Sequence, residues 1–522
     1  MYSIGFKNFR RFVELESLRL APISIFVGGN NSGKSTVVKG ILSIISFLRQ
    51  ECDIDVPETD FAESEDPIDF PDRGRRWISH NQRFRFNANY FAHIGTFRRA
   101  LRCGAETNDI VFRYGLGSAY YEVVVTMDDE SDEATSGRVS HLLICYRYGC
   151  VLKVDLVQWK AELTFKHDDP EKYRVSAEEY EKDSPQYDSL MKRYNYYNSF
   201  DEDVCISPFS LPDNIPLFVG PSQVIKLFAR AIAEQINVSL NRSPVMVGGG
   251  FIDENYKIPI NDEIKEFIIS SPFWSEQSGF RFPLAFDNEE IEYIYAHAVT
   301  QSIIYSAKDT NDYLVKTVHD FANCRISHTS KGDKAIIYRF ILRWMKEFMI
   351  GTDYSVRTVG GEAHIVRIKN MNDDYVNMAD MGMGSIQLMI LLFRIAAVLN
   401  KSLKQSRTTI ILEEPEQNLH PMLQSKLADF VLEVHKEYGL HFIVETHSEY
   451  LIRKTQVLVG RDYNTPEKLD RNPFRVFYFP SSGQQPYDMG YTTSGKFSQP
   501  FGEGFFDEAA NLHMTVLKNA RK

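Results

Sequence analysis

Gly28-Gly29-Asn30-Asn31-Ser32-Gly33-Lys34-Ser35-Thr36 follows the apolar run Ile23-Ser24-Ile25-Phe26-Val27 and leads into a stretch of helical periodicity, Val37, Val38, Ile41, Leu42, Ile45 and Leu48. The spacing G-x-x-x-x-G-K-S between a strand and a helix is that of a phosphate-binding loop. Its glycines let successive backbone N–H groups turn inward around phosphates, Lys34 reaches the outer phosphates, and Ser35 offers a hydroxyl to Mg²⁺. The helix that follows adds the positive end of its dipole. Gly28, Asn30, Asn31, Ser32, Gly33, Lys34, Ser35 and Thr36 are therefore expected to hold a nucleoside triphosphate.

Composition narrows the setting. The chain has 522 residues, 43% of them hydrophobic and 25% charged, which is enough for two or three cores and excludes general disorder. A formal charge of −11 gives no electrostatic case for wholesale nucleic-acid binding, although a local basic surface is compatible with it. The N-terminal residues lack an apolar leader segment, and the longest hydrophobic stretch, 388–399, is interrupted by Arg394, so a cytoplasmic protein without a membrane role is expected. The six cysteines, at 52, 103, 145, 150, 205 and 324, lack the paired short spacings of a zinc site or disulfide framework. They read as reduced structural thiols.

Before the loop, Ile4, Phe6, Phe12 and Leu15 alternate with polar residues as in strands. Residues 51–75 are acidic with three prolines, and 128–133 are nearly all acidic, so both read as solvated loops. Strand signals at 109–114, 120–127, 141–148 and 151–157 predict an antiparallel meander. A Tyr-rich stretch, 165–203, shows no clear period. Helical patterns occupy 222–238, 261–270, 288–307, 311–323 and 333–350, followed by short strands at 354–359, 363–369 and 374–378.

A second set of chemical groups lies far along the chain. The apolar run Thr409-Ile410-Ile411-Leu412 ends in Glu413-Glu414-Pro415, which is what a Mg²⁺-dependent ATPase needs. The first acid, Glu413, would hold the metal directly or through water, and Glu414 would orient or deprotonate the attacking water. A further apolar run, Leu440-His441-Phe442-Ile443-Val444, ends in Glu445-Thr446-His447-Ser448. An imidazole at that point, His447, suits a hydrogen bond to the terminal phosphate. Between the two sets, Gly382-Met383-Gly384-Ser385-Ile386-Gln387 opens an apolar helix and offers an anion-binding helix start.

In this order, the motifs resemble those of the short-armed, SMC-like branch of ABC-type AAA ATPases found in bacterial overcoming-lysogenization-defect (OLD-like) and phage-defence systems, including Septu-type and retron-linked ATPases. Gly28–Thr36 matches the Walker A motif. Glu413-Glu414-Pro415-Glu416-Gln417-Asn418-Leu419-His420-Pro421 is similar to the branch's Walker B and D-loop, and Thr446-His447-Ser448 to its switch histidine. The tail, Pro500 to Glu508, is similar to the ending of a C-terminal module of unknown function in such proteins. Residues 381–387 match the signature sequence loosely, with the serine one place early, and 91–97 stand where the glutamine lid belongs. Glu503, Asp507 and Glu508 are too few and too local for a nuclease centre.

The resemblance implies an α/β fold: an ABC-type P-loop NTPase head, a mixed sheet with flanking helices, interrupted by the β-meander and a helical insertion. Its segments would be 1–160, an N-terminal lobe with the phosphate loop; 161–350, a mostly helical, partner-binding insertion; 351–460, a lobe with signature, paired acids and switch histidine; and 461–522, a C-terminal module. It further implies ATP and Mg²⁺ as cofactors and a homodimer or higher even oligomer, each ATP held between one Walker A and the partner's Gly384 and Ser385. Lys34, Glu414 and His447 would be catalytic, with Ser35 and Glu413 at the metal. A regulatory ATPase is expected, acting on a separate effector such as an HNH nuclease, and with a retron reverse transcriptase and its RNA/DNA as further possible partners. Nucleic acid would then be touched only indirectly. The rival expectation is a DNA repair or maintenance ATPase acting on DNA itself, which needs a salt-dependent DNA-binding surface.

Overall fold

The computed structural model describes residues 3–49, 83–86, 94–116, 119–127, 133–146, 149–178, 180, 182, 184–210, 232, 258–271, 274–275, 279–280, 291–295, 305–306, 312–360, 363–401, 403, 408–481, 484–502 and 505–520. The chain divides into two compact units, Met1–Arg19 with Thr36–Asp287 and Leu20–Ser35 with Asn288–Lys522.

The first unit is built on a nine-stranded antiparallel sheet. Ser3–Phe9 pairs with Phe12–Arg19 on one side and Asp109–Leu116 on the other. From there Ala119–Thr126, Ser136–Tyr146, Cys150–Asp155, Lys160–Phe165 and Val204–Ser210 follow as neighbours, the meander that the alternating residues predict. Alternation buries one side-chain row per strand. Phe6, Phe9 and Phe84 gather around Phe112, with Phe84 stacked on Phe112 at 4.6 Å between ring centroids.

The Tyr-rich stretch is a correction: it holds two helices, Glu171–Ala177 and Pro185–Tyr197. The second begins with Ser184 accepting a hydrogen bond from the Tyr187 N–H and with a proline in its first turn. Tyrosines fill the buried positions that aliphatic residues would mark, and Tyr173 stacks on Tyr197 at 5.3 Å. Of the predicted helices, 261–270 is present as Asp262–Ser270. All of the pattern at 222–238 but residue 232, the acidic loop 51–75, most of 128–133 and residues 91–93 of the lid segment lie outside the described residues.

In the second unit the phosphate-loop strand, Ile23–Gly28, lies inside a six-stranded mixed sheet. The order is Ile291–Ile294, Thr409–Glu413, His441–Glu445, Ile23–Gly28, Phe474–Phe479, Tyr487–Asp488. The first five run parallel and Tyr487–Asp488 is antiparallel. The helix Pro421–Tyr438 provides the crossover that parallel pairing of Thr409–Glu413 with His441–Glu445 requires. A smaller four-stranded antiparallel sheet contains Asp353–Val359, Ala363–Lys369 and Tyr375–Asn377.

Two further sequence readings change here. Residues 288–307 were expected to be helical, yet Ile291–Ile294 is a strand and Tyr305–Ser306 a short one. A short run rich in isoleucine and tyrosine fits both periods, and pairing with Thr409–Leu412 decides it. Phe474–Phe479, placed by sequence in a separate C-terminal module, pairs with the phosphate-loop strand from Ile23 to Gly28.

Met383–Lys401 is, among the described residues, the one helix long and apolar enough to cross a bilayer. Every residue from Leu388 to Leu399 is buried within this protein. Arg394 is held there by Glu292 at 2.5 Å and Asp320 at 2.6 Å, which satisfies the charge inside a core helix. Cys103, Cys145, Cys150, Cys205 and Cys324 are free thiols, and Cys52 lies outside the described residues.

Candidate active site

Parallel pairing brings three strand ends to one edge of the sheet. Glu413 is in register with Glu445, and Glu445 with Phe26, two residues before Gly28. Carboxyl ends of parallel strands are where open α/β sheets bind ligands. The backbone supports this edge, since the Thr446 N–H donates to the Phe26 carbonyl at 3.1 Å and the Glu414 N–H to the Glu445 carbonyl at 2.7 Å.

Within the loop, Gly28 has φ +155° and lies so close to the next strand that a Cβ would sit 2.3 Å from the Phe479 carbonyl oxygen. Asn31, at φ 57°, and Gly33, at φ 105°, complete the turn with left-handed geometry. Lys34 is buried, and its ammonium donates to the Gly28 and Gly29 carbonyls at 3.1 Å each. Burial lowers its pKa, opposed by Glu445, Glu414 and Glu416. Ser32 Oγ is buried with no partner among the described residues, a donor suited to a phosphate oxygen. Asn30 and Asn31 are exposed at the mouth, and Ser35 and Thr36 open the helix Lys34–Arg49.

The carboxylates differ in their surroundings. Glu413 accepts a hydrogen bond from the Tyr293 hydroxyl at 2.5 Å, and burial together with this carboxylate raises the Tyr293 pKa. Glu414 stands at φ 44°, a left-handed conformation that costs a non-glycine residue about 1–2 kcal/mol. Its side chain accepts from the Gln417 amide, and His447 Nε2 lies 3.7 Å from its other oxygen. Burial and nearby Lys34 lower the His447 pKa, opposed by Glu414, and the net lowering favours the neutral imidazole. The His447 N–H donates to Glu416 Oε1 at 2.7 Å, which fixes the segment after the strand.

Glu445 and Tyr293 carry no role in the sequence reading. Glu445 is 2% exposed, accepts from Ser35 Oγ at 2.6 Å, and has its second oxygen, Oε2, buried without a partner among the described residues. Burial pushes its pKa up to about 7, tempered by Ser35 and Lys34 and reinforced by Glu413 and Glu414. An acid closing an apolar strand was the available signal for it. Tyr293 was hidden by the helical reading of its segment.

Gly384 and Ser385 start the helix Met383–Lys401. A Cβ on Gly384 would meet the Asn418 carbonyl oxygen at 2.5 Å, so this helix start packs on the segment after the paired acids. Gln387 Nε2 faces the Glu414 and Pro415 carbonyl oxygens at 3.4 Å.

Comparison with known proteins agrees with the chemistry. The family model described as an AAA ATPase domain matches residues 300–452, which include Gly384, Ser385, Glu413, Glu414 and His447 but not the phosphate loop. No curated protein matches the chain. Among solved structures, the chain is similar to an SMC head bound to the C-terminal winged-helix domain of ScpA, at 9% identity over 94% of this chain and 97% of that one, TM-score 0.34. The SMC head domain of Thermotoga maritima gives 11% identity, 94% and 97% coverage and a TM-score of 0.31. The SMC head domain of Pyrococcus furiosus with an extended coiled coil, bound to the C-terminal domain of ScpA, gives 11%, full coverage of both chains and 0.28. At such TM-scores these likenesses carry no weight, and the α/β fold rests on the strand order and register described above.

Proposed function

We propose that the chain is a Mg²⁺-dependent ATPase whose site is completed by a second copy of itself. The observation that carries this reading is the meeting of Lys34, Ser35, Glu413, Glu414, Glu445 and His447 at the carboxyl ends of three adjacent parallel strands. Lys34 would exchange its Gly28 and Gly29 carbonyl partners for the outer phosphate oxygens, with Ser32 Oγ and the loop N–H groups beside it. The hard oxygen donors Ser35 and Glu413 suit a magnesium ion, which would offset phosphate charge there. Glu414 orients and deprotonates the attacking water, and Gln417 fixes the carboxylate. Neutral His447 donates to the terminal phosphate. Gly384 and Ser385 serve the nucleotide of the partner copy.

In this reading ATP closes two copies into a dimer and hydrolysis releases them. The family resemblance extends it to a cytoplasmic regulator of a separate effector in phage defence, for which an HNH nuclease fits.

Phosphate release, ATP binding and sedimentation test the reading together. Glu414→Gln is expected to bind ATP like the wild type, lose turnover about 10²–10⁴-fold, and accumulate as an ATP-bound dimer. Lys34→Ala is expected to lose ATP binding. Unchanged turnover in Glu414→Gln would remove that residue from the mechanism. For the effector, the wild type but not Lys34→Ala should alter the activity of a nuclease encoded beside it.

A further inference from the structure

We infer that Glu445 is a third protein group in the cation shell of this site, orienting Ser35 through one carboxylate oxygen and offering the other to the ion or its water. The inference rests on the ATPase reading above and assigns a role to Glu445, which that reading places at the site without one. Three observations carry it. The Ser35 hydroxyl donates to Glu445 Oε1 at 2.6 Å, which leaves the Ser35 lone pairs free to face a cation. Glu445 Oε2 is buried without a partner among the described residues, a desolvated carboxylate oxygen that a hard cation or its water would satisfy. Glu445 is also in parallel register with Glu413, so the two side chains leave the sheet on the same face from strands about 4.8 Å apart.

Charge points the same way. Glu413 and Glu414 both act electrostatically on Glu445, while the Lys34 ammonium near it donates to the loop carbonyls. Magnesium binds through one or two carboxylates plus substrate phosphates and retains waters, a shell that Glu413, Glu445 and Ser35 would supply on the protein side.

Mn²⁺ is the probe, titrated against the full chain with a non-hydrolysable ATP analogue and followed by the loss of its free electron paramagnetic resonance signal. Analogue binding is measured in parallel in EDTA. Glu445→Gln is expected to weaken Mn²⁺ about 10–100-fold while leaving analogue binding in EDTA within about two-fold of wild type. Glu445→Asp, which keeps the charge, is expected to retain more Mn²⁺ affinity than Glu445→Gln. Wild-type Mn²⁺ affinity in Glu445→Gln, or equal losses in both variants, would overturn the assignment. So would a loss of analogue binding in EDTA as large as the loss with metal, because that marks a purely structural residue. A wild-type chain that fails to bind the analogue at all would instead overturn the ATPase reading itself.

Discussion

Gly28 shows how one residue ties the nucleotide site to the sheet. A methyl group there would press on the Phe479 carbonyl oxygen at 2.3 Å and on Ser32 Oγ at 2.9 Å, from a backbone angle that L side chains rarely adopt. Gly28→Ala is therefore expected to cost about 1–3 kcal/mol and to weaken ATP at least about ten-fold. Thermal unfolding with and without ATP reads both effects. A variant with wild-type melting and a wild-type ATP shift would show that the loop yields at that point. The phosphate loop was legible from sequence because its chemistry depends on contiguous residues. Glu445 and Tyr293 were not, because their roles arise from strand pairing: Glu445 stands beside Glu413 through register, and Tyr293 reaches Glu413 from another strand.

At the level of elements, Met383–Lys401 shows a long apolar helix kept in place by one buried cation. Arg394 is 9% exposed and joins Glu292 and Asp320, which lie on a strand and on the helix Tyr313–Cys324. Removing only the cation leaves the largely buried Glu292 without its partner, while Asp320 keeps contact with solvent. Arg394→Met is expected to destabilise the protein by about 3–5 kcal/mol, measured by chemical denaturation, with Glu292→Gln in the same chain restoring part of the loss. A cost below about 1 kcal/mol would show that the triad is dispensable. The helix itself could be read from its apolar run, as could those at 311–323 and 333–350, whose periodic faces match Tyr313–Cys324 and Asp333–Glu347. The strand Ile291–Ile294 could not, since four residues carry too few turns of either period to distinguish them.

For the molecule as a whole, pH acts on stability through a half-buried histidine. His441 opens the strand that ends in Glu445, and burial, with His435 close by, lowers its pKa from 6.5 to about 4. The unfolded chain thus binds a proton between pH 6.5 and 4 that the folded chain refuses. Stability from this group is present above pH 6.5 and is lost as pH falls toward 4, by about 2 kcal/mol after discounting for partial exposure. Denaturation midpoints of wild type and His441→Asn, compared at pH 7 and pH 4.5, check this. The variant should lose less on acidification, and parallel losses would move the proton elsewhere. At this scale the fold class was legible, because motif order determines which strands must converge. The division into units was not: the phosphate-loop strand belongs to the second unit while the residues on either side of it belong to the first, and only long-range pairing reveals that.

The seating of Gly28 against Phe479 also bears on biosynthesis. The strand that carries the phosphate loop is made long before its parallel neighbours, His441–Glu445 and Phe474–Phe479. At ribosomal speeds of roughly 5–20 residues per second, the loop waits on the order of 20–90 s for those neighbours to be translated. During that interval the apolar run from Ile23 to Val27 lacks the sheet it joins in the folded protein, and an unpaired strand of this kind is prone to pair with other chains. Nucleotide competence therefore arrives late in translation, and a ribosome stalled before residue 474 would release a product unable to complete its own phosphate loop.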